Sequence, residues 1–91
     1  GWSDLGTWGS LYTHVEKDET NNAIIGDNVL TYNSSDNIVM MPKGKLAVIQ
    51  GLVDYIIVDS NDTLLICKKQ DEQKIKQFVN DIKLKKGGNF V

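Results

Sequence analysis

A chain of 91 residues supports one small hydrophobic core, which shields about 60 to 65% of the surface that the unfolded form exposes. An apolar share of 41%, 24% charged residues and a single proline exclude a disordered tail, and apolar runs of at most four residues exclude a membrane-spanning helix. The net charge is −2 and all ten basic residues are lysine, so the guanidinium forks that read phosphates and base edges in pairs are missing and nucleic acid is excluded as a partner class.

The chain opens on "GWSDLGTW", where one carboxylate, Asp4, stands among two tryptophans, two glycines and two hydroxyls. Two readings stay open here. Asp4 or Ser3 serves a helix N-terminus, or Asp4 is half of a site whose other half lies elsewhere. Over residues 7–16, Trp8, Leu11, Tyr12 and Val15 recur at helical spacing behind Thr7, whose hydroxyl can cap an orphan backbone N–H. This predicts a short amphipathic helix that ends in "KDETNN".

Next come five apolar runs rich in β-branched residues: "VLTY" from Val29, "IVMM" from Ile38, "LAVI" from Leu46, "YIIV" from Tyr55 and "LLIC" from Leu64, with "AIIG" from Ala23 as a sixth candidate. Their starts fall 9, 8, 9 and 9 residues apart, with turn formers between them. Short strands at so even a spacing form either a meander or a β-solenoid of stacked rungs. Because the runs are apolar at consecutive positions, both faces are expected to be covered, or shared with a partner. Over residues 71–85, Ile75, Phe78, Val79 and Ile82 make a second helical stripe. Acidic residues at its start, lysines at its end and "GG" beyond match the helix dipole and cap. This helix is expected over an open end or edge of the strands. The fold class is thus mainly β with flanking helices.

Few residues carry chemistry. His14, the single histidine, falls in a helical pattern and reads as a solvent-facing residue, and Cys67 ends an apolar strand and reads as inert packing. One cysteine and one histidine make neither an intramolecular disulfide nor a tetrahedral zinc set, which fits a reducing cytoplasm. "DSND" from Asp59 lacks the glycine and distal glutamate of a calcium loop, and "PKGK" from Pro42 is tight-turn chemistry. The lysines from Lys83 to Lys86 read as a capped helix end. The triplets "NSS" at Asn33 and "NDT" at Asn61 read as turns, with no secretion signal ahead of them.

"GWSDLGTWGSLY" resembles the motif near the end of the catalytic domain of mannose-1-phosphate guanylyltransferases, and "VIQGLVDYIIVDSNDTLLICKKQDEQKIKQFV" is similar to the C-terminal segment of that family. The resemblance implies a Rossmann-like nucleotidyltransferase domain joined to a small domain like a left-handed β-helix, which packs on the catalytic domain and helps homodimers form. It implies transfer of GMP from GTP to mannose 1-phosphate, with release of pyrophosphate. Asp4 would then help hold the catalytic magnesium, Ser3, Gly6 and Thr7 would shape the substrate loop, and Trp2 and Trp8 would brace it. A metal that neutralises phosphate charge needs few protein oxygens, so one aspartate here and one elsewhere suffice. The family's glycine-rich loop with its Arg and Lys, its guanine pocket and its other metal-binding Asp have no counterpart in this sequence, nor has the cupin-like isomerase domain of bifunctional members. The expectation is therefore a C-terminal piece of a longer enzyme, inactive alone: residues 1–20 the last loop and helix of the catalytic domain, residues 21–91 the β-helix-like domain. The alternative is a free-standing β-rich interaction module that assembles through strand edges or exposed apolar runs.

Overall fold

All six apolar runs are strands, and they pair in a way that their spacing alone does not reveal. The computed structural model of the protein describes residues 12–91. The strands are β1 (Ala23–Ile25), β2 (Val29–Tyr32), β3 (Ile38–Met40), β4 (Ala47–Gln50), β5 (Tyr55–Ser60) and β6 (Thr63–Lys68). Every second strand stacks in parallel: β1, β3 and β5 lie side by side in one sheet, and β2 and β4 form another. Two runs make one coil, so the first five strands form a solenoid. Only the last connection is a hairpin, with β6 antiparallel to β5 around Asn61 and Asp62. Both turn residues have positive φ, 53° and 57°, the twist that two-residue hairpins require and that Asn and Asp tolerate.

The coils differ in length for a local reason. Ile38 lies beside Ala23, 15 residues earlier, but beside Ile56, 18 residues later. The link from β1 to β2 covers residues 26–28, whereas that from β3 to β4 covers residues 41–46 and holds "PKGK" as an outward turn. At Gly26 the coils come so close that a Cβ would stand 3.0 Å from the Met41 carbonyl oxygen.

Each coil turns into the first sheet through the same backbone device. Asn21, Asp36 and Asp54 take left-handed φ of 64°, 60° and 64°, and the next residue leads straight into β1, β3 or β5. Behind this corner lies a polar ladder. Asn22 and Asn37 are both fully buried. The Asn37 amide nitrogen donates to Asn22 Oδ1 (3.0 Å) and to the Leu52 carbonyl oxygen (2.9 Å), while Asn37 Oδ1 accepts from the Tyr55 backbone N–H (2.8 Å). Asn22 Oδ1 also accepts from the Asn37 backbone N–H, and Asn22 Nδ2 donates to the Ser34 carbonyl oxygen (3.0 Å) and to Thr20 Oγ1 (2.9 Å). Ser34, also buried, accepts from the Leu52 N–H through its hydroxyl. At the outer end, the Asp18 carboxylate accepts from Asn22 Nδ2 and from the backbone N–H groups of Thr20 and Asn22.

Apolar cores lie on both faces of the four-stranded sheet. Between the two sheets, Val39, Ile49 and Ile57 are buried against Ile24, Val29 and Leu52. On the opposite face, Ile38, Ile56, Val58, Leu65 and Cys67 meet Ile75 and Val79 of helix α1 (Ile75–Lys86), with Phe78 and Ile82 at the margin. The helix therefore covers a sheet face and not an edge, because its stripe is satisfied only by the alternate apolar residues of β3, β5 and β6. Residues 69–74 form a 3₁₀ stretch ahead of it, so the α-helix starts later than the periodicity predicts. At its end the Gly87 N–H returns to the Lys83 carbonyl oxygen, with Gly87 at φ 88°. The N-terminal helix is helical at residues 12–14 and stops two residues short of the predicted end. There Lys17 bridges Ala23 in antiparallel fashion, and its ammonium donates to the Val15 carbonyl oxygen, satisfying an acceptor that a longer helix would use internally. Its predicted beginning, residues 7–11, lies outside the described residues.

Replacing Asn37 with alanine leaves the Tyr55 N–H without its acceptor, takes one of two donors from the Leu52 carbonyl, which keeps the Ser35 N–H, and breaks the bond to Asn22 Oδ1. One unmet group costs about 1–3 kcal/mol and each lost bond about 1 kcal/mol, so Asn37→Ala is expected to lower unfolding free energy by roughly 2–4 kcal/mol, read as the urea midpoint shift of the 91-residue chain. Burial raises the Asp18 carboxyl, but the hydrogen bonds from Asn22 and Thr20 outweigh it and hold the group below its ordinary 3.8. A carboxylate with a depressed folded pKa stabilises fully above its unfolded value and loses that contribution as pH falls through the folded one. Asp18→Asn is therefore expected to flatten the loss of stability on acidification below about pH 4, measured by thermal melts across pH.

Candidate functional site

The residues singled out for chemistry, Asp4 with Trp2, Ser3, Gly6, Thr7 and Trp8, lie outside the described residues. The described structure begins with the joint that ties residues 12–14 to the solenoid. Tyr12 packs against the helix-side core, and its hydroxyl donates to the Asn21 carbonyl oxygen at 2.8 Å. Its ring carries the Lys69 ammonium 3.7 Å from the centroid and that of Lys17 at 4.7 Å. Lys69 also faces the Asp54 carboxylate at 3.7 Å. Burial and then the Asp36 carboxylate push the Tyr12 hydroxyl up, so it remains a donor at neutral pH. Three elements distant in sequence meet here: the helical turn, the first coil corner and the end of β6.

The remaining candidates take up the structural roles expected of them. His14 is exposed. Cys67 is buried, and burial, with the nearby Asp71 carboxylate second, raises its thiol while Lys74 acts weakly the other way. "DSND" spans the end of β5 and the hairpin turn, and Asp59 receives Lys45 of the "PKGK" turn at 3.2 Å. Among the described residues no three His, Cys, Asp or Glu side chains gather where they could hold a metal ion. The described residues gather no such cluster of their own, and Asp4 lies outside them.

The feature with clear binding capacity is apolar. The four-stranded sheet runs two strands beyond the point where the two-stranded sheet stops at β4. Ile57, Leu64 and Ile66, on the face of β5 and β6 turned toward the missing rungs, line a groove of about 520 Å³ with Met41, Leu46 and Val48. Leu46, Val48, Leu64 and Ile66 are 63%, 61%, 59% and 56% exposed. No strand of the described residues pairs with the far side of β4. Leu30, which stacks on Val48 across the β2–β4 pair, and Tyr32 extend the apolar surface over the outer face. A free strand edge beside uncovered aliphatic side chains is what soluble domains normally blunt or cover. Covering the four most exposed groove residues is worth about 1 kcal/mol each before the entropy of association is subtracted. The Lys45–Asp59 pair marks one rim and favours an occupant that leaves it solvated.

Sequence reasoning missed both the ladder and the groove. The ladder had a signal: in "NNA", "DNI" and "DYI", an Asn or Asp that tolerates positive φ stands two residues before the aligned apolar residues Ala23, Ile38 and Ile56, and Asn fills the middle place in the first two coils. The groove had none, since it exists only because the run after β5 folds back into the longer sheet and adds no third strand to the smaller one.

With this geometry in place, likenesses to known proteins gain meaning. A family model described as "MannoseP isomerase/GMP-like beta-helix domain" matches residues 26–82. Mannose-1-phosphate guanylyltransferase 2 of Escherichia coli O157:H7 is 35% identical over 91 residues, covering 100% of this chain and 18% of the relative. The mannose-1-phosphate guanylyltransferase of Salmonella muenchen is 37% identical over 83 residues, covering 91% and 17%. The crystal structure of mannose-1-phosphate geranyltransferase from Thermus thermophilus superposes with a TM-score of 0.74 at 17% identity, over 88% of this chain and 24% of that one, a likeness of fold. The chain thus spans less than a fifth of the length of these two curated relatives.

A thiol that burial keeps protonated reacts slowly, because only the thiolate is a nucleophile. Cys67 in the native chain is expected to react with an aromatic disulfide reagent at pH 8 at least about tenfold more slowly than in denatured chain, followed by absorbance.

Proposed function

The chain belongs to the MannoseP isomerase/GMP-like beta-helix domain family, and we propose that it serves as the C-terminal β-helix domain of a mannose-1-phosphate guanylyltransferase. In that enzyme GTP and mannose 1-phosphate yield GDP-mannose and pyrophosphate. The observation that carries this reading is the uncovered apolar groove beside β4, which fits a domain docked against the remainder of a larger polypeptide. The relatives support it, since this chain accounts for 18% and 17% of their lengths and the residues outside the match far outnumber those within it.

In this reading the chain's share of the work is positional. The solenoid is rigid because its coils are tied by parallel ladders and by buried asparagines, and Tyr12 fastens the incoming segment to it. Asp4, in the segment "GWSDLGTW", would contribute one carboxylate to the magnesium site of the whole enzyme. When bound there, magnesium offsets the repulsion between a sugar phosphate oxygen and the nucleotide α-phosphate. The other nucleotide-binding groups would come from the catalytic domain, so the 91 residues alone are inactive. The whole enzyme would be a cytoplasmic homodimer, the β-helix domain helping to hold its copies together.

Two experiments test this. In the full-length enzyme, Asp4→Asn should lower GDP-mannose formation by about 100-fold at unchanged melting temperature, the loss expected when one preorganised charged contact is removed from a phosphoryl-transfer site. An unaltered rate would remove Asp4 from the site. Val48→Lys combined with Ile66→Lys should leave the 91-residue chain folded within about 1 kcal/mol, because both side chains are already exposed there. In the full-length enzyme the same pair should open the domain junction to limited proteolysis and cut activity at least about tenfold. Unchanged protease resistance and activity would show that the groove is not the docking face.

A further inference from the structure

We draw no further inference here: the strongest candidate, the cleft of about 540 Å³ between β6 and α1 lined by Tyr55, Cys67, Lys68, Lys74 and Phe78, rests on a lone buried cysteine among surface lysines, with no second observation that points to a ligand.

Discussion

The contact on which the rest of this structure depends is the hydrogen bond between two asparagine side chains one coil apart, Asn37 Nδ2 to Asn22 Oδ1. A solenoid of short strands has no local reason to hold its register: three- and four-residue strands make few ladder bonds, and a slip exchanges inward and outward side chains. The buried amides remove that freedom. Each is itself fully buried and reaches main-chain groups of the neighbouring coil, so its polar atoms depend on those partners. Once Asn22 and Asn37 are seated, Ala23 must lie beside Ile38 and Ile38 beside Ile56, and the two aliphatic cores follow from that alignment.

The ladder ends where the solenoid ends. In the third coil the equivalent place is Tyr55, which supplies only its backbone N–H to Asn37. From there the chain continues through β5 into a tight hairpin. The long sheet thus gains β6, while the shorter sheet stops at β4. Helix α1 closes one face of the long sheet, and the other face is covered as far as Ile57 of β5 and stays exposed at Leu64 and Ile66 of β6. One topological decision therefore creates both the closing helix's seat and the open groove.

The groove and the Tyr12 joint are two features of opposite character. The joint is polar and aromatic: a phenol ring in contact with two ammonium groups, anchored by its hydroxyl on a coil corner. The groove is aliphatic and unspecific in direction except for its strand edge. The lysine-rich end of α1 and the exposed His14 belong to neither feature.

Much of this was legible in the residues. All six strands fall on the apolar runs, the stripe of Ile75, Phe78, Val79 and Ile82 marks the closing helix, and Asn61 and Asp62 mark a turn, because side-chain hydrophobicity and tolerance of positive φ act within a few residues and need no tertiary partner. The likeness to the guanylyltransferase family was legible in two motifs, and the matching family and relatives bear it out. Which strands pair was not: an interval of eight or nine residues is the same whether a strand folds back on its neighbour or skips to the next but one. That choice depends on whether the corners turn the chain back, as Asn61 and Asp62 do, or carry it round to the next rung, as Asp36 and Asp54 do. Positive φ occurs at both kinds of corner, so only the assembled coils, with their buried amides bridging one rung to the next, decide between them.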